Sequence, residues 1–560
     1  MNKPRLGRIL LPLLLLLLLP ACALGATDFG FSFRCPDAGV QEAVVSRKSG
    51  SQYLVFLPGS WDPSRLEVAY EGEEILFLGE QEIPSGTMID VSDRLGKAIP
   101  LKDKAGKKRG SVRFRQGSRL ACVFVTVDGK ELKAALKDKH RVISEGSILI
   151  TEPDGSVAYE GALAQFKGRG NNTYSSQNGK KPFQFKLERK ADISGMGKGK
   201  TWLLIASYVD LTLLRNQIAL DLAREAGLRF AVKAVQADVW LNGAYNGLYL
   251  LTQKIQIQSS RVDIHNLEEE TEELNDQPVS ASTYFKETGK KTELRGYEIP
   301  VNPKDITGGY LIELEKPYRF RGHVRNGFKT SVDLYFAIKE PTYASRAQVT
   351  YIGDLFDKVF RAIRAKDGHD PQTGEYYADM IDLTSFATKL LVEDFTKNYD
   401  LLAGSQFFYK DRDDKDPKIY AGPCWDYDLS MGDMAAAGVR PEGAFALKVS
   451  LGKVNWYKML YQHADFQQEV KRVYREQFRP ALALLLGERE DANAVMTSLE
   501  EYEARISAST RMNFSRWDAE KVTGYYEFSG DTPSAARDFL FKWIRERVKY
   551  LDKFYGAAEE

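Results

Sequence analysis

The sequence predicts an α+β fold in three parts: a β-sandwich domain over residues 27–145, a mixed region over 146–315, and a helical C-terminal region within 316–560. Three observations carry this. Short β-prone segments separated by turn residues fill the first part. A glycine-containing loop, an alternating strand and an Asn-Gly hairpin mark the second. Long stretches with apolar residues at helical spacing follow Gly432. With 43% apolar and 11% aromatic residues, the chain can bury sizeable cores over this length.

Residues 1–26 read as an export signal. Lys3, Arg5 and Arg8 precede the Leu-rich run Ile9 to Leu19, and small residues follow. The run is too short to span a bilayer comfortably. Leu19-Pro20-Ala21-Cys22 resembles a bacterial lipobox, which would put a lipid on Cys22 and the protein on the cell surface; plain secretion is the other reading. Membrane contact is expected only through that anchor. Export makes a disulfide between Cys35 and Cys122 a hypothesis, and Cys424 reads as a small buried residue. The 78 basic and 77 acidic residues give a net charge of +1, so no basic excess argues for nucleic acid. Five scattered histidines leave little room for a His-rich metal site.

In the first part, Tyr53 to Leu57, Leu66 to Tyr70, Glu74 to Leu78, Ser111 to Phe114 and Ala121 to Val127 read as strands, with a turn at Asp128-Gly129. No catalytic constellation is visible there. Ser147 to Thr151 and Ala162 to Lys167 are strands of the second part. The loop beginning Gly168-Arg169-Gly170-Asn171 follows, and its glycines allow a backbone to approach a phosphate closely. In Pro182 to Leu187, Phe183, Phe185 and Leu187 point one way and Gln184 and Lys186 the other. Lys186 thus rises from a strand just after the loop, where protein kinases carry a Lys that pairs with α- and β-phosphates. Trp202 to Ile205 is a strand, and Leu211 to Ala226 is a helix whose Asp221 or Glu225 could pair with Lys186. Val235 to Leu241 and Gly247 to Ile255 form a hairpin across Asn242-Gly243. Glu268 to Asp276 is acidic and poor in apolar residues, and reads as a mobile loop.

The third part contains helices at Tyr351 to Ala365, Leu383 to Tyr399, Tyr457 to Leu486, Ala492 to Met512 and Ala535 to Tyr555. Within the third part lies the most informative stretch. Asp400 ends a helix, a hairpin runs through Phe407 to Tyr409 and Ile419 to Tyr420, and the chain returns at Trp425-Asp426-Tyr427-Asp428. Two acidic sites are separated by one hairpin. Phosphoryl transfer needs that layout: one carboxylate to orient a hydroxyl, another to hold the Mg²⁺ that bridges phosphate oxygens. Paired carboxylates also serve glycoside hydrolysis, but the glycine loop and Lys186 would then have no role.

Taken together, K-G-R-G-N-N-T at 167–173, K-K-P-F-Q-F-K at 180–186, L-L-R-N at 213–216, L-N-G-A-Y-N-G-L-Y at 241–249, G-G-Y-L-I-E-L at 308–314, N-Y-D at 398–400 and W-D-Y-D at 425–428 resemble the CotH kinase family, the spore coat protein H type of atypical protein kinase. The resemblance covers about 400 residues and leaves out the N-terminal sandwich. It implies an atypical protein-kinase-like domain, N-lobe-like over 146–315 and C-lobe-like over 316–560. Such a domain transfers the γ-phosphoryl of ATP to Ser or Thr of secreted or surface proteins with Mg²⁺ or Mn²⁺. By position, Asp400 resembles the catalytic carboxylate and Asp426 the metal-binding one. Lys186 resembles the phosphate-contacting Lys, with Lys181 as the alternative. Gly168, Arg169, Gly170, Asn171 and Trp425 complete the implied nucleotide site, and Asp428 and Gln406 the implied metal set. Two positions depart from the family pattern: Ser405-Gln406 stands where Asn is usual, and Gln253 where Glu is usual. These departures imply the alternative, a catalytically weak or inactive kinase-like scaffold for cell-surface or spore-coat-type assembly.

Overall fold

A computed structural model describes residues 30–39, 42–72, 75–170, 172–175, 179–402, 404–433, 440–449, 454–519, 530 and 532–556. The stretch expected to be an export signal (residues 1–26), with Cys22, and Asn171 lie outside the described residues. Among the described residues no helix is long and apolar enough to cross a membrane.

The α+β prediction holds, and a closed barrel organises it. Gly199–Ile205, Phe183–Ala191, Val157–Gly168, Ser147–Thr151 and Ala121–Thr126 pair antiparallel in that order. Ala121–Thr126 pairs in parallel with Ala234–Leu241. The hairpin partner Ala244–Gln253 then returns to Gly199–Ile205 and shuts the ring. Alternation sends every second side chain inward. Val123, Phe166, Phe185, Trp202, Val239 and Tyr249 meet there with little or no exposure. The hairpin turn is Asn242-Gly243, with φ of 49° and 76°, which only a pair tolerant of the left-handed region accepts.

The N-terminal strands pack on the outside of this barrel. A sheet of Arg47–Ser49, Gln52–Leu57, Lys108–Gln116, Ile99–Asp103, Leu76–Leu78 and Gln81–Glu82 faces Ser32–Arg34, Val44–Val45, Leu66–Ala69 and Thr87–Ile89. The second set joins the barrel at Val45 opposite Ala244. The core between them takes in Phe124, Trp240 and Tyr245 from the barrel itself. Ala121–Thr126, counted with the N-terminal strands from sequence, is therefore a barrel strand. Cys35 and Cys122 share this core, but both are free thiols. The disulfide expectation is corrected: Cys35 Sγ lies 4.0 Å from the Asp62 carbonyl and Cys122 Sγ 3.6 Å from that of Leu120, so they point at different partners.

A further sheet runs in the order Tyr284–Thr288, Glu293–Tyr297, Gly327–Lys329, Tyr335–Glu340, Tyr310–Leu314, Phe407–Lys410, Ile419–Ala421. The helix Arg346–Arg364 covers it, started by a capping box of Ser345 and Gln348. The helix Leu383–Thr396 is buried at every position from Ser385 onward, as a helix apolar on most faces must be. Three expectations need correction. Leu267–Glu273 is a helix, not a loop: Asn266 caps it, three Glu fill its first turn, and Leu267 and Thr271 are buried. The expected helix from Tyr457 to Leu486 is broken into Trp456–Leu460, Ala464–Val473, a π-turn at Tyr474–Phe478, and Arg479–Leu485. Pro480 supplies no N–H to the preceding turn, and the widened turn absorbs the loss. The expected helix from Ala492 to Met512 starts only at Leu499, where Ser498 caps it.

The helix Leu499–Arg516 is tied to the barrel through buried Asp238, which accepts hydrogen bonds from Tyr245 Oη (2.7 Å) and Ser509 Oγ (2.6 Å). Burial pushes its pKa from 3.8 up to about 6, against the hydrogen bonds and Lys180. The folded state thus holds this proton more tightly than the unfolded one. Its stability contribution is full below pH 4 and is lost as pH rises to about 6. Two pKa units correspond to about 3 kcal/mol. Urea titrations from pH 4 to 7 should show that decline in the wild type and a shallower one in Asp238→Asn; identical slopes would assign the decline to other groups.

Candidate active site

Beyond the end of Val157–Gly168 the chain turns over the helical half of the molecule. A Cβ at Gly168 would fall 2.1 Å from the Tyr174 ring, so only glycine fits, and Gly170 holds φ at +84°. Between them Arg169 donates its N–H to the Pro182 carbonyl (3.1 Å). Its guanidinium stands 5.6 Å from the centre of the Trp425 ring. Desolvation lowers the Arg169 pKa, and Asp426, Asp428 and Glu313 pull it back up. The glycine loop thus presents one cation to the acidic segment.

Asp400 sits in a single turn, Tyr399–Leu402, after the buried helix ends at left-handed Lys397. Its N–H donates to Asn398 Oδ1 (3.1 Å) and its carboxylate lies 3.2 Å from Lys316 Nζ. The hairpin Phe407–Lys410 and Ile419–Ala421 then carries the chain back. Asp426 has φ +69° and Ser405, at the start of the hairpin, φ +58°. Ser405 Oγ donates to Asp426 Oδ2 (3.2 Å). Left-handed backbone at a non-glycine residue costs on the order of 1–2 kcal/mol and persists only where the surroundings hold it. The Asp426 pKa is raised by burial and then by Asp400, with Arg169 opposing. That of Asp428 is raised further, by burial and by Asp426, Asp400, Asp210 and Asp433. Asp400, Asp426 and Asp428 therefore repel one another in one place.

Two groups fix this segment from behind. From the helix Arg215–Glu225, Asn216 Oδ1 accepts the Tyr427 N–H (2.8 Å). Arg215, fully buried, donates through Nε to the Ser430 carbonyl (3.0 Å) and pairs with Asp210 (2.5 Å). From the buried helix, Lys389 Nζ contacts Glu393 (2.6 Å), Tyr427 Oη (3.1 Å) and Cys424 Sγ (3.5 Å). Glu393 also accepts from Tyr427 Oη (2.7 Å) and Gln406 Nε2 (3.2 Å). Tyr427 is pinned by its backbone on one side and its hydroxyl on the other, with Asp426 before it and Asp428 after it.

The structure brings Arg169, Trp425, Asp400, Asp426 and Asp428 together. It does not bring Gln406 to them: its amide lies in the Glu393 network, and Ser405 takes the place beside Asp426. Lys181 Nζ donates to the Tyr174 carbonyl and lies 5.1 Å from that ring's centre, at the loop rather than at the acids. Lys186 stands exposed on the outer barrel face, opposite Gln165 and Thr201, with no ion pair among the described residues. Neither expected partner turns to it. Asp221, pushed up to about 6 by burial, accepts from Gln217 and Tyr502. Glu225 accepts the N–H groups of Val495 and Met496. Gln253 is structural, donating to the carbonyls of Met196 and Ser260. Sequence reasoning gave no role to Arg215, Asn216, Lys389, Glu393 or Lys316. The L-L-R-N motif and a Lys–Glu pair four residues apart in an apolar helix were the signals available.

A family model, CotH kinase protein, matches residues 164–551. The chain belongs to the CotH kinase family. Every residue placed above, from Arg169 to Asp433, lies inside that span, whereas most of the N-terminal sheets lie outside it. No curated protein matches the chain. Membership of the CotH kinase family makes it a kinase-like protein.

Proposed function

We propose that the chain is an exported atypical protein kinase that transfers the γ-phosphoryl of ATP to Ser or Thr of secreted or surface proteins. The observation that carries this is the meeting of Arg169, from a glycine loop, with three mutually repelling carboxylates, Asp400, Asp426 and Asp428. A two-part body, with a strand-built half carrying the loop and a helix-rich half carrying the acids, supports the kinase-like reading.

Each side chain has work in that reaction. Asp400 orients the acceptor hydroxyl and takes its proton, and Lys316 beside it holds the carboxylate in place. Arg169 contacts phosphate oxygens. Asp426 and Asp428 are the donor set for Mg²⁺ or Mn²⁺. Among the described residues no three His, Cys, Asp or Glu form a group that could hold a metal alone. Mg²⁺ is commonly bound through one or two protein carboxylates together with substrate phosphates, so Asp426 and Asp428 are the residues that would hold it. When bound, such a cation neutralises charge on the phosphate oxygens during transfer. Lys186, exposed on the outer barrel face, is given no part in this site. The Leu-rich leader supports export, with Cys22 as the candidate lipid anchor.

One observation favours the scaffold reading. Gln406 and Gln253, the two departures from the family pattern, are both committed to internal hydrogen bonds. Nucleotide binding separates the readings. Mature protein with Mn²⁺ and a non-hydrolysable ATP analogue should unfold at a higher temperature than without them. Arg169→Ala should cut that shift, measured from the variant's own ligand-free melting temperature, by at least half. No shift in the wild type would leave only the scaffold.

A further inference from the structure

Downstream of Asp433 the chain passes through residues 440–449 and resumes at Val454, where Asn455 caps the short helix Trp456–Leu460. Beside the turn between Gly327–Lys329 and Tyr335–Glu340 it borders a groove of about 590 Å³, within the range of about 300–1,000 Å³ typical of binding sites. Lys291, Arg364, Lys448 and Lys458 line it, and all four are exposed. None forms an ion pair among the described residues. The contrast within one helix is sharp: Arg361 pairs with Asp357 and Asp370, while Arg364, one turn on, has neither. The one carboxylate in the lining, Asp333, lies 2.7 Å from Lys329 and is already neutralised. Apolar Val332, Val449, Val454 and Met459 share the lining with the cations. Asn455 Nδ2 donates to the carbonyls of Ala446 (2.7 Å) and Val449 (2.8 Å), which fixes the backbone that presents Lys448.

We propose that this groove docks an acidic polypeptide segment of the protein that the acid cluster phosphorylates. The docking surface rests on the charge and shape of the groove; the word "phosphorylates" rests on the function proposed above. Four unneutralised cations with aliphatic side chains in the same lining suit carboxylates interspersed with aliphatic side chains. No aromatic ring lines the groove, and single-stranded nucleic acid is held largely by stacking on such rings. Lys448 comes 20 positions after Asp428 in the sequence, in the C-terminal part of the chain that also carries Asp400 and Asp426.

The test uses the mature chain without ATP or metal. Fluorescein-labelled peptides rich in Glu and Ser, the same peptides with Lys for Glu, and a labelled oligo-dT strand are titrated by anisotropy. The Glu peptide should bind, weaken as salt rises, and lose about tenfold or more in affinity to the Lys448→Glu/Lys458→Glu double variant. Lys448→Gln/Lys458→Gln should fall between. Equal affinity in wild type and both variants, preference for the Lys peptide, or tighter binding of oligo-dT would overturn the proposal. Peptide docking without any phosphoryl transfer would leave the groove standing and remove the kinase. Transfer with unchanged KM for an acidic substrate in the double variant would do the reverse.

Discussion

Replacing Asp426 by Asn should reduce phosphoryl transfer by at least about 100-fold and raise the melting temperature by about 1–3 °C. The two effects have one cause. Asp426 is held in left-handed backbone beside Asp400 and Asp428, where burial and like charge penalise its ionised form. Asn has the same shape, tolerates φ near +60° at least as well, and carries no charge to repel its neighbours. A site that only braced the fold would lose stability on this change. Incorporation of label from ATP into a generic Ser/Thr acceptor, alongside a melting curve, reads both. A variant that is less stable and equally active would contradict the assignment.

Replacing Lys389 by Met should destabilise the protein by about 3–5 kcal/mol, because Glu393 is then left as a buried charge without its ammonium partner. Lys389 and Glu393 are 1% and 0% exposed at the side chain and lie 2.6 Å apart. Glu393 also holds Tyr427 and Gln406, so the loss should spread to the acidic segment around Tyr427. The double variant Lys389→Met/Glu393→Leu should recover part of the loss, since removing both charges also removes the desolvation cost. Urea unfolding followed by circular dichroism gives the three free energies. A double variant no better than Lys389→Met would show that the pair does not act as a unit.

Much of the local structure is legible in the residues. The alternation Phe183, Phe185, Leu187 against Gln184 and Lys186 sets the first three inside the barrel and Lys186 outside it. Asn242-Gly243 announces its hairpin, and the apolar run from Leu383 announces the buried helix. The closing of the barrel is not legible. It depends on Gly199–Ile205 meeting Ala244–Gln253, a pairing between segments about 50 residues apart that leaves no mark on either. The clamp on Tyr427 is hidden for the same reason: Asn216 lies 211 positions from its partner. The helix Leu267–Glu273 was missed because a cap, a dipole-matched first turn and two buried side chains replaced the apolar stripe that periodicity looks for. At the site, residue types pointed to Asp400 and Asp426, while the partners of Gln406, Asp221 and Glu225 depend on which way each side chain turns.

The most direct test of the phosphotransfer account follows the label itself. Mature protein is incubated with Mn²⁺, a Ser/Thr acceptor and ATP labelled at either the γ- or the α-phosphate. The account predicts alkali-sensitive label in the acceptor from γ-labelled ATP alone, absent with Asp400→Asn. No transfer by the wild type, or equal labelling from both nucleotides, would contradict it.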